Sequence, residues 1–131
     1  MKKSAAILFL FCLATLTLMA QKQQKNQNDS INFTELIHDY GTIDVGSPGS
    51  FEFKFTNGMK TPLVVSNVKP SCGCTVADWT KEPILHGKTG VVKINYNTKI
   101  PGTFSKTITV NSNAKNSTVI LQIKGNVTLP K

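Results

Sequence analysis

The residues of this chain best suited to chemistry are two cysteines, Cys72 and Cys74, which are separated only by Gly73. In an oxidising compartment two adjacent thiols tend to pair. A fully extended three-residue segment holds its outer Cα atoms about 7 Å apart, at the edge of what a disulfide accepts, so the chain must bend. A glycine permits such a bend. The spacing therefore predicts a Cys72–Cys74 disulfide within a bent loop.

Two roles are open for this disulfide. A ring closed through a single residue is expected to be strained and easily reduced, which suits a thiol-exchange switch. The alternative is a static clip that shapes one loop. We favour the clip, because no activating base is evident in the sequence beside Cys72 and Cys74, and thiolate formation needs one.

A metal site is a less favoured alternative for the same cysteines. Two thiolates suit Cu(I) or Zn²⁺, and His38 and His86 could complete a set of four ligands with Cys72 and Cys74. Nothing in the sequence places either histidine near the pair. His38 is more simply interpreted as a strand-end residue and His86 as a turn residue, so no metal and no cofactor is predicted.

Other catalytic patterns are missing from the sequence. It contains no G-x-S-x-G motif, and its seven acidic residues are scattered without an evident acid/base pair. Residues 46–49 lack the lysine of a phosphate-binding loop and are interpreted as a turn. Trp79 is expected to anchor a core rather than to stack on a ligand. The chain is therefore not predicted to be an enzyme.

The N-terminus has the pattern of a secretory signal peptide. Lys2 and Lys3 precede an apolar run over residues 5–20, which is shorter than the roughly 20 residues needed to span a bilayer. We predict cleavage after Ala20, which also removes Cys12. Residues 21–30 are polar throughout and are expected to form a disordered leader. No later segment is apolar enough to cross a membrane, so no transmembrane segment is expected in the mature chain.

The charge excludes one class of partner. The chain has 15 Lys and no Arg, and loss of Lys2 and Lys3 leaves 13 Lys against 7 acidic residues, a net charge of +6. Nucleic-acid binders use Arg for bidentate contacts and cluster their charge on one face. Here the lysines are spread singly along the chain, so no nucleic acid is predicted as partner.

The elements that must position the cysteines are short strands. Phe51, Phe53 and Phe55 alternate with polar residues over 50–56, a period of two that does not fit a helix. Val119, Leu121 and Ile123 alternate in the same way, and both sets are expected to face inward. Further strands are predicted over 31–37, 63–68, 75–79, 90–96, 104–110 and 118–127, while 43–45 is either a short edge strand or a connector. About seven short strands in one hundred residues predict an all-β, immunoglobulin-like β-sandwich over residues 31–128.

Several short motifs resemble the domain of unknown function 1573 family. These motifs are His38-Asp39-Tyr40-Gly41-Thr42-Ile43, Phe53-Lys54-Phe55-Thr56-Asn57, Ser71-Cys72-Gly73-Cys74-Thr75, Trp79, Gly102-Thr103-Phe104 and Gly125-Asn126-Val127. The resemblance covers 31 to about 128. It implies export and an immunoglobulin-like fold, and it assigns no activity.

Together these features predict an exported, non-catalytic binding or structural module of the bacterial cell envelope. It would lie in the periplasm or at the cell surface and contact an envelope protein or a glycan through loops and edge strands. The alternative is a thiol-redox or metal-handling protein that acts through the Cys72-Gly73-Cys74 loop.

Overall fold

The fold is that of a computed structural model, which describes residues 29–131. The predicted signal peptide, its cleavage after Ala20 and residues 21–28 of the predicted leader lie outside the described residues. Asp29 and Ser30, the last two residues of that leader, already make backbone hydrogen bonds: the Asp29 carbonyl accepts from Lys115, and the Ser30 carbonyl accepts from Gly58. Asp29 and Ser30 are therefore attached to the sandwich.

The described residues form eight strands and no helix. The strands are β1 (Ile31–Phe33), β2 (Ile37–Asp44), β3 (Ser50–Asn57), β4 (Val65–Pro70), β5 (Thr75–Trp79), β6 (Thr89–Tyr96), β7 (Gly102–Ser112) and β8 (Thr118–Thr128). They make two four-stranded sheets, with the orders β1-β3-β6-β5 and β2-β8-β7-β4. We call the first sheet A and the second sheet B. All pairs are antiparallel except β2 with β8, which is parallel. The predicted immunoglobulin-like sandwich is confirmed.

The N-terminal strand differs from its prediction. A single strand over 31–37 was expected, but β1 ends at Phe33 in sheet A and β2 begins at Ile37 in sheet B. The crossing is made by the three residues between them: Thr34 still donates to the Lys54 carbonyl of sheet A, whereas the Leu36 carbonyl accepts from Gln122 of sheet B. The segment 43–45, left open as an edge strand or a connector, lies mostly within β2. Residues 29–131 therefore contain one strand more than the seven expected.

The next predicted strand, 63–68, is displaced toward the C-terminus. Leu63 makes only an isolated bridge with Ile84, and the continuous strand runs from Val65 to Pro70. Leu63 is nevertheless completely buried. Its apolar character identified a core position but not membership of a strand.

The predicted inward faces are confirmed. Phe53, Leu121 and Ile123 have no exposed surface and Phe55 is 1% exposed, while Phe51 is half-buried. Val119 is also half-buried and packs against this core. The inner faces of the two sheets interdigitate around these side chains, as in other aligned sandwiches.

Trp79 closes one side of the sandwich. It lies at the end of β5 and packs against the core, as predicted. Its indole Nε1 donates to the carbonyl oxygen of Val65 on β4, at 3.2 Å. Because β4 and β5 are edge strands of different sheets, this bond joins sheet A to sheet B at the ends of the two strands that are away from the loop carrying the cysteines.

Candidate functional site

The cysteines lie where the chain crosses from sheet B to sheet A. We call residues 71–75, which join edge strand β4 to edge strand β5, the CGC turn. It is attached to sheet B by two hydrogen bonds, from Ser71 N to the Thr107 carbonyl (2.9 Å) and from Thr107 N to Ser71 Oγ (3.2 Å). It is attached to sheet A by a bond from Asn97 N to the Cys74 carbonyl (2.8 Å). One end of the turn is thus hydrogen-bonded to β7 and the other to the residue that follows β6.

The turn is bent as the spacing required. The Cα atoms of Cys72 and Cys74 are 5.4 Å apart, inside the range for a disulfide, and the two sulfur atoms are within bonding distance. A bond from Thr75 N to the Cys72 carbonyl (3.4 Å) closes the turn. Gly73 keeps an ordinary backbone φ, and a Cβ added to it would meet nothing within 4 Å. Gly73 fits the bend, but a residue with a side chain would fit the same conformation, so the bend does not require a glycine.

The two sulfur atoms have different surroundings. The backbone N–H of Cys74 donates to Cys72 Sγ at an N···S distance of 3.4 Å. Cys74 Sγ has the hydroxyl of Thr75 at 4.0 Å, the limit for a contact to sulfur. A backbone N–H directed at a sulfur stabilises negative charge there. The Cys72 sulfur thus accepts a directed backbone N–H, whereas the Cys74 sulfur has only a hydroxyl at the limit of contact.

Two lysines lie close to the turn in the fold but not in the sequence. Lys99 lines the same cleft as Gly73 and Cys74. Thr107 is hydrogen-bonded to Ser71, so Lys106, its neighbour on β7, lies near the start of the turn. Sequence analysis missed both lysines, because only strand pairing places residues 99 and 106 beside 72–74.

A cleft opens beside the turn at one end of the sandwich, and we call it the terminal cleft. Its volume is about 520 Å³. The lining residues are Gly46, Ser47, Pro48, Gly49, Ser50, Gly73, Cys74, Val76, Asn95, Tyr96, Asn97, Thr98 and Lys99. Most lining residues are glycines or have neutral polar side chains, and Lys99 contributes an ammonium group. Burial raises the pKa of the Tyr96 phenol, so this hydroxyl stays neutral.

The walls of the cleft are held by hydrogen bonds between loops. The Thr98 hydroxyl donates to the Ser47 carbonyl (2.5 Å), and Gly46 N donates to the Thr98 carbonyl (3.2 Å). The Tyr40 hydroxyl donates to the Gly49 carbonyl (2.6 Å), and burial raises the pKa of Tyr40 to about 12. These bonds join the loops that form the walls of the cleft.

Edge strand β5 continues from the cleft. The hydrogen bonds at the two ends of the β5–β6 ladder show which residues of β5 bond to β6. Because bonded and outward-facing residues alternate along an antiparallel pair, the backbone N–H and C=O groups of Thr75, Ala77 and Trp79 point away from β6. Val76 lies between the first two on the outer face of sheet A and is 69% exposed. The strand therefore presents an apolar side chain next to an open sheet edge.

Part of this edge is already occupied. Thr75 N donates to the Cys72 carbonyl within the CGC turn, and Trp79 N donates to Asp78 Oδ1 at 2.9 Å. A hydrogen bond from the Lys81 ammonium, together with that from the Trp79 N–H, lowers the pKa of the Asp78 carboxyl and keeps it an acceptor. The third outward N–H group, that of Ala77, has no such acceptor nearby in the chain. Sheet edges are commonly protected in this way against unwanted pairing.

The histidines considered as metal ligands lie elsewhere. The His38 ring stacks on Phe51, with centroids 3.6 Å apart, and meets Tyr40 edge to face at 4.5 Å. His86 Nδ1 is 2.6 Å from the Met59 carbonyl oxygen. Within residues 29–131, no group of three or more His, Cys, Asp or Glu side chains is arranged to hold a metal ion. The fold does not bring these histidines together with the cysteines.

The fold and the site define a class of protein: a two-sheet, immunoglobulin-like β-sandwich with a C-x-C turn between its edge strands. The chain belongs to the family described as protein of unknown function (DUF1573), whose model matches residues 31–127. The resemblance inferred from the sequence motifs is confirmed. None of the curated proteins compared with the chain matches it.

Solved structures share the fold at low sequence identity. A protein of unknown function from Porphyromonas gingivalis W83 matches with a TM-score of 0.65 and 14% identity over 77% of this chain and 48% of that one. The ASH/PapD-like domain 7 of human CEP192 matches with a TM-score of 0.62 and 10% identity over 79% and 88%. The VesB protease of Vibrio cholerae matches with a TM-score of 0.57 and 12% identity over 75% and 31%.

These likenesses show the fold alone. The chain spans about half the length of the Porphyromonas gingivalis protein and about a third of the protease. Over the described residues, the search for a helix long and apolar enough to cross a membrane found none.

Proposed function

We propose that this chain is an exported, non-catalytic binding module of the bacterial cell envelope and that it binds its partner at the terminal cleft and the adjoining edge of β5. The observation that carries this proposal is the composition of the cleft. Lys99 brings a cation, and the remaining lining offers hydrogen-bonding backbone and amide groups together with exposed Val76. Such a surface suits recognition of a polar ligand or an extended segment, and it lacks the acid/base pair that hydrolysis needs.

The geometry of β5 supports a polypeptide partner. An extended segment that adds to a sheet edge gains main-chain hydrogen bonds, and side-chain pockets give it specificity. Ala77 offers an unpaired N–H at this edge, and Val76 offers apolar surface beside it. A segment on β5 would also reach Cys74 and Lys99 in the cleft.

Export rests on two observations. The N-terminal sequence has the basic, apolar and polar order of a signal peptide, and the Cys72–Cys74 pair is within disulfide distance. Disulfides form and persist in oxidising compartments, which include the periplasm and the cell surface.

The binding surface is testable by crosslinking from single positions in the native host. A photoreactive residue at Val76 should give a discrete crosslinked species, whereas one at Lys115, at the opposite end of the sandwich, should not. Val76→Asp should abolish recovery of the same species. Ile120→Asp is the matched control, because Ile120 is also exposed (59%) but lies on β8 of the other sheet.

Export is tested separately. N-terminal sequencing of the protein recovered from the envelope fraction should begin at Gln21, the residue after Ala20. Protein that keeps Met1 and remains in the cytoplasm would contradict export. Equal crosslinking from Val76 and Lys115 would contradict the proposed binding surface without bearing on export.

A further inference from the structure

We propose that the Cys72–Cys74 pair is a directional thiol-exchange site: an incoming thiolate attacks Cys74 Sγ, and Cys72 leaves as the thiolate. This inference concerns stoichiometric exchange with a protein or small-molecule thiol, and it goes beyond the binding role proposed above. It uses three features of the described residues, namely the bond to Cys72 Sγ, the opening of Cys74 to the cleft and the positions of two lysines.

Cys72 is the better leaving group. In the turn, the Cys74 N–H is directed at Cys72 Sγ rather than at the facing strand. A thiolate formed there would keep this N–H as a donor, and hydrogen bonding to the charged form lowers a pKa. Lys106, the neighbour of Thr107 that is hydrogen-bonded to Ser71, brings a further positive charge near the start of the turn. A leaving thiol with a lower pKa leaves faster.

Both cysteines are half-buried and Cys74 also packs against the core, but Cys74 is the one that borders the terminal cleft, from which a solvent-borne thiolate can approach. Gly73 and Cys74 line the terminal cleft, whereas Cys72 is not among the lining residues. Gly73 has no side chain to obstruct the approach, and Lys99 lines the cleft where an anionic thiolate would enter. Positive charge along an approach path raises the local concentration of an anion.

The step balances without a further reagent. The attacking thiolate R–S⁻ forms a bond to Cys74 Sγ while the Sγ–Sγ bond breaks, and the electron pair of that bond leaves on Cys72 Sγ. The products are a mixed disulfide at Cys74 and a thiolate at Cys72. The reverse attack of Cys72 on Cys74 Sγ expels R–S⁻ and restores the original pair, so the oxidation level changes only if a second thiol follows.

The test identifies which cysteine receives the incoming thiol. The oxidised, folded protein is mixed with reduced glutathione, quenched with acid at short times and labelled with N-ethylmaleimide. Fragmentation of the tryptic peptide 61–81 then distinguishes glutathione on Cys74 from glutathione on Cys72. We expect Cys74 to be favoured by about threefold or more. This is the ratio that a one-unit difference in thiol pKa gives if the leaving group has a Brønsted coefficient near that of the attacking thiol.

The same reaction in denaturing urea is the first control. Unfolding removes the hydrogen bond from Cys74 N to Cys72 Sγ and separates both lysines from the turn. The ratio of glutathione on Cys74 to glutathione on Cys72 should therefore fall close to one. A folded-state ratio of one or less, the absence of any adduct, or an equal preference in urea would each overturn the proposal.

A second measurement tests the contribution of the Lys106 charge to the reactivity of Cys72. In the fully reduced protein, Cys72 should be alkylated at lower pH than Cys74, and Lys106→Gln should move the Cys72 profile to higher pH. Lys115→Gln is the matched control, because this exposed lysine lies at the opposite end of the sandwich, and it should leave both profiles in place. Identical profiles for the two cysteines in the wild-type protein would contradict the assignment of Cys72 as the leaving group.

Discussion

Asn57 offers the most informative test of how the loops around the core are held. Its side chain has no exposed surface, and it makes three hydrogen bonds. Nδ2 donates to the carbonyls of Thr61 (2.9 Å) and Ile84 (2.8 Å), and Oδ1 accepts from Met59 N (2.7 Å). One amide thus joins the loop after β3 to the segment that leads into β6.

The cost of Asn57→Ala follows from these bonds. Each intramolecular hydrogen bond contributes about 1 kcal/mol net, and a buried partner left unpaired costs about 1–3 kcal/mol. Three bonds therefore give an expected loss of about 3 kcal/mol or more in the free energy of unfolding. Urea denaturation should show a lower midpoint with an unchanged m value. Asn67→Ala, at an exposed position on β4, is the control and should change stability by less than about 0.5 kcal/mol.

Asn57→Asp adds a pH signature. The substitution keeps the acceptor for Met59 N but directs a carboxylate oxygen at the Thr61 and Ile84 carbonyls, so the pKa of the new carboxyl should be raised in the folded state. The folded state then binds more protons than the unfolded state. The stability deficit relative to wild type should therefore shrink as the pH falls from 7 toward 4. A cost of Asn57→Ala below about 1 kcal/mol, or an Asn57→Asp deficit that grows at low pH, would refute this reasoning.

Three further outcomes are expected. Phe53→Ala should cost about 3–5 kcal/mol by urea denaturation, because Phe53 is completely buried; a cost under about 1 kcal/mol would contradict its core position. Cys72→Ser with Cys74→Ser should lower stability by no more than about 1.6 kcal/mol, because the closed loop has three residues, and loss of folding would show an additional structural role. Ultraviolet absorbance should show Tyr40 ionising near pH 12; since its folded pKa is raised, stability should fall as the pH rises from about 10, and Tyr40→Phe should weaken that dependence.

The sandwich could be predicted because its strands carry their own pattern. In β3 the alternation of Phe51, Phe53 and Phe55 with polar residues reports which side faces inward, independently of what covers it. The same holds for Leu121 and Ile123 in β8. Close cysteine spacing likewise predicted a bent turn with the sulfur atoms near each other, and the Cα separation of 5.4 Å agrees.

The N-terminal segment could not be assigned in this way. Residues 31–37 are apolar enough for one strand, yet β1 and β2 belong to different sheets. The alternation of apolar and polar residues shows which side of a strand faces inward, but it does not show which sheet the strand joins. That choice depends on partners far along the chain: β1 pairs with β3, while β2 pairs in parallel with β8.

Asn57 shows a related limit. The pair Asn57-Gly58 is typical of a tight turn, and β3 ends at Asn57. The next strand in the sequence lies in the other sheet, however, so no hairpin follows. The asparagine instead lies inside the protein, where its amide satisfies backbone groups of two loops. Its partners 4 and 27 residues away could be recognised only once the sheets had been packed.

The sequence by itself determined the fold class, the family, the inward faces of the main strands and the closeness of the two sulfur atoms, because each of these follows from residues that are neighbours in the chain. The tertiary structure alone decided the strand order and the terminal cleft with Cys74 in its lining. Those features depend on the packing of the two sheets, which brings Lys99 and Lys106 beside a turn some 30 residues away in the sequence.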